Sequence, residues 1–286
     1  MKDAVKAGFI GCGNMGGVLA AVAAKALQLN IGASDEKPGV STVSGSTVYA
    51  ADHNAYKVSN LAEAFGCTAS DAVQIASECR MIFLGVKPQV LDKACAEIKD
   101  ILAERKDRFC VVSMAAGVKL SALSAMLGDV PIIRIMPNTP CAVGAGVILY
   151  SRGGSASDED VTILMDLMRP AGIISEMEEK KLDMGSALTG CGPAFVYMFI
   201  DALIDGAVRT GLPRTDAKRF AVQTVLGSAL MCAQNGSVEP SKLKADVCSP
   251  AGSTIEGVAV LEDYSLHAAV MEALKASYER TLELGK

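Results

Sequence analysis

Six residues late in the chain, Ser249-Pro-Ala-Gly-Ser-Thr254, gather three hydroxyls around a proline and a glycine. Pro250 fixes its own φ and Gly252 can supply the positive φ of a sharp bend, so the chain is expected to turn here and re-enter a helix. Ser253 with Glu256 three residues on matches a capping box, which makes Ser253 the expected N-cap and Thr254 the first helical residue. A helix start of this kind points free backbone N–H groups and hydroxyls one way. It is a ready site for a small carboxylate. An ordinary capped helix start has the same local sequence, so the choice between them rests on the remainder of the chain.

The other stretch with chemistry in it is Gly11-Cys-Gly-Asn-Met-Gly16, which follows an apolar run at 5–10 and precedes an alanine-rich segment reaching about residue 29. Strand, tight turn and helix are the setting in which G-x-G-x-x-G binds a dinucleotide. Gly11 permits the turn, Gly13 lets a pyrophosphate approach the backbone, and Gly16 lets the helix pack closely; Asn14 and Met15 line the same turn. Residues 31–34 read as the second strand, with Asp35 and Glu36 at its carboxyl end. An acid there accepts hydrogen bonds from the adenosine ribose and repels a 2′-phosphate, which favours NADH; Ser34 and Lys37 leave NADPH open. Residues 38–55, rich in Ser, Thr, Gly and Asn, read as an irregular loop.

The elements that must hold these residues alternate along the first half of the chain. Strands are expected at 80–86, 109–113, 132–136, 146–150 and 172–176, with helices between them, one capped by Ser157-Asp-Glu-Asp160. That order gives an α/β class, a mostly parallel, doubly wound Rossmann-type sheet whose ligands lie beyond the carboxyl ends of its strands. Val86, Lys87 and Pro88 fall there, as do Ala115, Ala116 and Asn138-Thr139. After residue 178 only helical periodicity remains. Pro193 is placed in the first turn of a helix reaching 211, with further helices at about 215–234, 254–262 and 266–284. The expected domains are therefore 1–178, which binds dinucleotide, and 179–286, which is all α. The helical faces are too apolar for an isolated bundle and imply burial against another subunit. Asp201 and Asp205, with Arg209 four residues on, read as a salt-bridge face.

Composition narrows the partners. The 286 residues carry a net charge of −5 and no basic run, which argues against nucleic acid or an anionic membrane. Residues 7–24 are nearly uncharged, yet strand, turn and helix explain them better than a membrane span or leader. Nine scattered cysteines without C-x-x-C spacing and two histidines, His53 and His267, assemble no familiar metal site. They fit a reducing, cytoplasmic setting, and nothing marks either histidine as a base for a nucleophilic cysteine.

Taken together, these residues resemble pyrroline-5-carboxylate reductase over nearly the whole chain. The most specific carriers are Leu243-Lys-Ala-Asp-Val-Cys-Ser-Pro-Ala-Gly-Ser-Thr-Ile-Glu256 and Thr189-Gly-Cys-Gly-Pro-Ala194; the glycine turn, Val86-Lys-Pro88, Ala115-Ala-Gly117, Met136-Pro-Asn-Thr-Pro140 and Gly211-Leu-Pro-Arg214 support them. The resemblance implies reduction of 1-pyrroline-5-carboxylate to L-proline with NADPH or NADH, the last step of proline biosynthesis. It also implies an interlocked homodimer, with dimers gathered into rings such as a pentamer of dimers, and helices of the dimer partner completing the active site. By the same resemblance Thr254 is the substrate-contacting hydroxyl, residues 249–253 form the carboxylate-binding turn, and Lys87 lies near the coenzyme. Two small departures, Cys191 for the usual Ser and Ala251 for a common second Gly, should preserve the turn, whereas coenzyme preference stays open. A β-hydroxyacid dehydrogenase or related imine reductase is the competing enzyme. Such dehydrogenases need a lysine on the helix after the interdomain junction, and residues 193–209 have none. A nicotinamide sensor without turnover is the non-enzymatic alternative.

Overall fold

Short apolar runs separated by amphipathic helices can bury both faces of a sheet only when helices cover each side. The computed structural model, which describes residues 4–32, 46–234 and 236–284, has this arrangement. The strands are β1 (Lys6–Ile10), β2 (Thr47–Ala51), β3 (Thr68–Ala69), β4 (Met81–Leu84), β5 (Cys110–Ser113), β6 (Ile132–Pro137), β7 (Gly146–Arg152) and β8 (Gly172–Glu176). They form one sheet in the order β3-β2-β1-β4-β5-β6-β7-β8. All neighbours are parallel except β6 and β7, so the last two strands run against the rest.

Six helices cover this sheet: α1 (Asn14–Gly32), α2 (Ala55–Phe65), α3 (Ala72–Glu78), α4 (Pro88–Glu104), α5 (Leu120–Leu127) and α6 (Asp158–Met168). Alternation along the strands splits the core in two. Phe9 and Phe83 stack with ring centroids 4.3 Å apart on the side of α1, α2 and α6. Ile10, Ile82 and Leu84 pack with Leu91 and Ile98 on the side of α3, α4 and α5. All four residues of β4 are buried, as a central parallel strand requires. The expected capping box at Ser157 is present, with Asp160 as its second member. Asp160 is fully buried, paired with Arg80 at 2.7 Å and with Arg108. Burial opposes its charge, but the hydrogen bonds from Arg108, Ser157 and Arg80 outweigh that and hold the carboxyl at about 2.

The second strand is a correction. Residues 31 and 32, expected in a strand, close α1, and β2 lies inside the segment read as an irregular loop. The Thr-Val-Tyr-Ala-Ala run pairs with all of β1 in parallel, from Lys6↔Thr47 to Ile10↔Ala51. β-Branched and aromatic residues in that run suit a strand, and the Ser/Gly-rich residues before it masked the signal. Ser34 and Asp35 lie outside the described residues.

Beyond the sheet come α7 (Glu179–Arg209), α8 (Arg214–Gln234), α9 (Pro240–Asp246), α10 (Ser253–Asp263) and α11 (Leu266–Leu284). The chain divides into two compact units, 1–190 with 278–286, and 191–277. Pro193 was expected in a helix's first turn; it lies inside the 31-residue α7. Without an N–H, Pro193 leaves the carbonyl of Thr189 unpaired within the helix. Asn138 Nδ2 donates to that carbonyl at 2.9 Å, which removes the main cost of an interior proline. Fully buried Arg134 on β6 pairs with Asp183 at 2.6 Å and with Glu179 at 3.4 Å, fixing the start of α7 on the sheet. In the second unit Ile204, Ala217 and Ala221 form a small core. Asp205 and Asp201 pair with Arg214, at 2.7 and 3.7 Å, in a solvated ion cluster that reaches across the helix junction.

Candidate functional site

In the first unit the carboxyl edge of the sheet gathers the glycine turn and the ends of β4 and β5. Gly11 takes φ +94°, and its N–H donates to Ala51 at 2.8 Å. A Cβ on Gly16 would stand 2.0 Å from the Gly11 carbonyl, and one on Gly85 would stand 2.3 Å from it. The turn, the start of α1 and the end of β4 are thus in backbone contact that no side chain could enter. A Cβ on Gly13 would meet nothing within 4 Å, so the backbone there is open to a ligand. Asn14 begins α1 and is exposed, and Met15 is half-buried beside it. The first-turn N–H groups have no intrahelical partner and suit a pyrophosphate.

Val86, Lys87 and Pro88 follow β4 directly, with Lys87 as the exposed N-cap of α4 and Pro88 at its first position. Ala115 is buried and Ala116 exposed beyond β5, where Gly117 turns the chain with φ +77°. Since β1, β4 and β5 are adjacent and parallel, the expected coenzyme residues Gly11, Gly13, Asn14, Met15, Gly16, Val86, Lys87, Pro88, Ala115 and Ala116 lie along one edge. These residues fit a dinucleotide. The chain also places Asp52 at this edge, one position past β2, where its Oδ2 accepts from the Cys12 N–H at 2.8 Å. Sequence reading missed it because the strand before it was missed.

The thiols near this edge are poor nucleophiles. Burial, aided by the Asp52 charge, pushes Cys12 up to about 12, and burial lifts Cys67 to about 11. Among the described residues no cluster of His, Cys, Asp and Glu could hold a metal ion.

In the second unit the hydroxyl-bearing bend has the expected form with two differences. Its helix, α10, starts at Ser253, with Gly252 as the N-cap and no side chain capping it. The reading of Ser253 as N-cap was one residue late, and no capping box forms. The positive φ belongs to Ala251, at +57°, whereas Gly252 has φ −81°. A Cβ on Gly252 would stand 2.3 Å from Ser249 Oγ and 3.1 Å from the Ser249 carbonyl, so a larger residue there would turn the Ser249 hydroxyl away. The Gly252 N–H donates to the Ser249 carbonyl at 3.0 Å and closes the turn. Ser249, Ser253 and Thr254 are all exposed around an uncapped helix start, which leaves several N–H groups for an anion.

Comparison with known proteins decides the family. Residues 179–284 match the model for pyrroline-5-carboxylate reductase dimerisation, and residues 6–117 match that for NADP oxidoreductase, coenzyme F420-dependent. Pyrroline-5-carboxylate reductase of Arabidopsis thaliana is 38% identical over 285 residues, covering 99% of this chain and 97% of the plant protein. The Escherichia coli (strain K12) enzyme is 39% identical over 284 residues, 98% of each chain. The chain belongs to the pyrroline-5-carboxylate reductase family. A crystal structure of Plasmodium falciparum pyrroline carboxylate reductase with NADP bound superposes with TM-score 0.80 at 30% identity, covering 99% of this chain and 100% of the other. As a pyrroline-5-carboxylate reductase the chain is an NAD(P)H-dependent oxidoreductase with a Rossmann-type first half and an all-α second half. α7 is long and apolar enough to cross a membrane by length and composition, but it falls within the dimerisation match of this reductase family.

Proposed function

We propose that the two units divide the work of reducing 1-pyrroline-5-carboxylate to L-proline. The edge formed by Gly11–Gly16, Val86–Pro88 and Ala115–Ala116 holds NADH or NADPH, which supplies the hydride when bound. The bend at Ser249, Gly252 and Ser253 holds the substrate carboxylate on the N–H groups of α10. Thr254 donates a hydrogen bond to the ring nitrogen as C5 accepts hydride, and a proton from solvent water completes the N–H of the product. A cyclic imine close to protonation supplies much of its own activation, so orientation and one hydrogen bond suffice. The observation that carries this reading is the exposed, uncapped start of α10 with three hydroxyls around it. The functional division at 1–178 and 179–286 follows the change from alternating elements to helices only.

The helical half also builds the assembly. Met198, Phe199, Leu226, Val260 and Met271 are exposed on the single chain, and such faces are covered when two copies pair. We take the assembly to be a dimer, with dimers gathered into a ring such as a pentamer of dimers, in the cytoplasm.

Purified protein given 1-pyrroline-5-carboxylate and reduced coenzyme is expected to oxidise the coenzyme with formation of proline. Thr254→Ala should lower kcat by more than about tenfold and leave coenzyme affinity unchanged, while Thr254→Ser keeps most of the rate. An Ala variant as fast as the parent would remove Thr254 from this role.

A further inference from the structure

Asp52 is the acid that the described sheet places at the carboxyl end of its second strand, immediately after β2 and beside the glycine turn. Its side chain is 4% exposed. Oδ2 accepts from the Cys12 N–H at 2.8 Å, and Cys12 lies between Gly11 and Gly13. Oδ1 accepts from the Asn54 N–H at 2.9 Å. Two contacts come from the solvent side: Lys57 Nζ lies 3.4 Å from Oδ2, and the 92% exposed His53 has Nδ1 3.2 Å from Oδ1. Burial opposes the charge, yet the N–H groups of Asn54 and Cys12 and the Lys57 ammonium together hold the carboxyl below the usual range. Asp52 is therefore a fixed anion whose backbone bonds aim it along the edge where the coenzyme binds.

We infer that Asp52 makes this chain select NADH over NADPH, its carboxylate accepting hydrogen bonds from the adenosine ribose and repelling a 2′-phosphate. In doubly wound sheets the acid at this strand end meets the ribose hydroxyls of a dinucleotide seated on the glycine turn. The carboxylate's two backbone bonds leave its outer lone pairs to Lys57 and His53, contacts that ribose hydroxyls can replace. Lys57 does not reverse the preference, because its charge is already matched by Asp52 and gives a phosphate no net attraction. NADP is bound in the Plasmodium falciparum structure and named in the N-terminal family model, so this discrimination is not carried over from those relatives. It rests on the reading of the glycine turn as the coenzyme site.

Calorimetric titration of the intact protein with NADH and NADPH, and with AMP and adenosine 2′,5′-bisphosphate, tests the inference apart from turnover. The parent is expected to bind NADH at least about tenfold more tightly than NADPH, with the same order for the two fragments. Asp52→Asn keeps an acceptor for the Cys12 N–H and removes the charge, so it should cut that ratio to about threefold or less. Asp52→Ser frees Lys57 as well and should bring NADPH level with NADH or ahead of it. Adding Lys57→Ala to the Ser variant should take that gain away. Equal affinities in the parent, or an unchanged ratio in a folded Asn or Ser variant, overturn the inference while leaving the coenzyme site in place. Failure of the folded parent to bind either coenzyme overturns both.

Discussion

Asn138 is predicted to be energetically coupled to Pro193, because it supplies the hydrogen bond that the proline withholds. Its Nδ2 donates to Thr189 at 2.9 Å, and its Oδ1 accepts from the Val147 N–H at 2.8 Å. Asn138→Ala strands one carbonyl and one N–H in a site where Asn138 itself is 7% exposed. Each unpaired group costs about 1–3 kcal/mol, so the variant should lose roughly 2–6 kcal/mol. Pro193→Ala returns an N–H to position 193, and the helix then pairs the Thr189 carbonyl by itself. In that background the same Asn138 truncation should cost about 1–2 kcal/mol less. Urea unfolding of the four proteins of the cycle, followed by circular dichroism at one protein concentration, measures this coupling. Costs that add to within about 0.5 kcal/mol would show that the interior proline is accommodated in some other way.

Two further outcomes follow from the described geometry. Because the folded Asp160 carboxyl sits at about 2 against an ordinary 3.8, its contribution of ~2 kcal/mol is complete above about pH 5 and drains away as pH falls from 4 toward 2. The stability gap between the parent and Asp160→Asn, from urea midpoints, should narrow by that amount between pH 5 and pH 2; a constant gap contradicts the ion-pair account. Ala251 has φ +57°, where a Cβ costs about 1 kcal/mol, so Ala251→Gly should be neutral to about 1 kcal/mol more stable despite the freer unfolded chain. A clear fall in its urea midpoint would show that Ala251 is not strained.

The parts legible in the sequence were those whose signal is local. Phe109 to Ser113 and Gly172 to Glu176 read as strands because each is a compact apolar run between breakers, and the structure places β5 and β8 there. Ser157 read as a cap because Asp160 stands three residues on, and the box forms. β2 was not legible, since its five residues follow a Ser/Gly-rich stretch and owe their place to pairing with β1 along its whole length. With β2 ending at Ala51, the acid that directly follows the second strand is Asp52, seventeen positions after the Asp35 at which that strand end was expected. Pro193 misled for a related reason: a local rule puts proline at helix starts, and only a side chain 55 residues earlier in the chain makes its interior position tolerable. At the bend before α10 the turn was legible from Pro250 and Gly252, but the left-handed φ falls on Ala251, not on Gly252, which no local residue preference would have indicated.

The small interior of the second unit, little more than Ile204, Ala217 and Ala221, has a thermodynamic corollary. Helices that bury so little on their own draw their rigidity from neighbouring copies, so protein concentration enters their stability as directly as temperature does. Dilution should then act on the bend before α10 as a mild denaturant, slackening it well before the eight-stranded sheet of the first unit begins to yield.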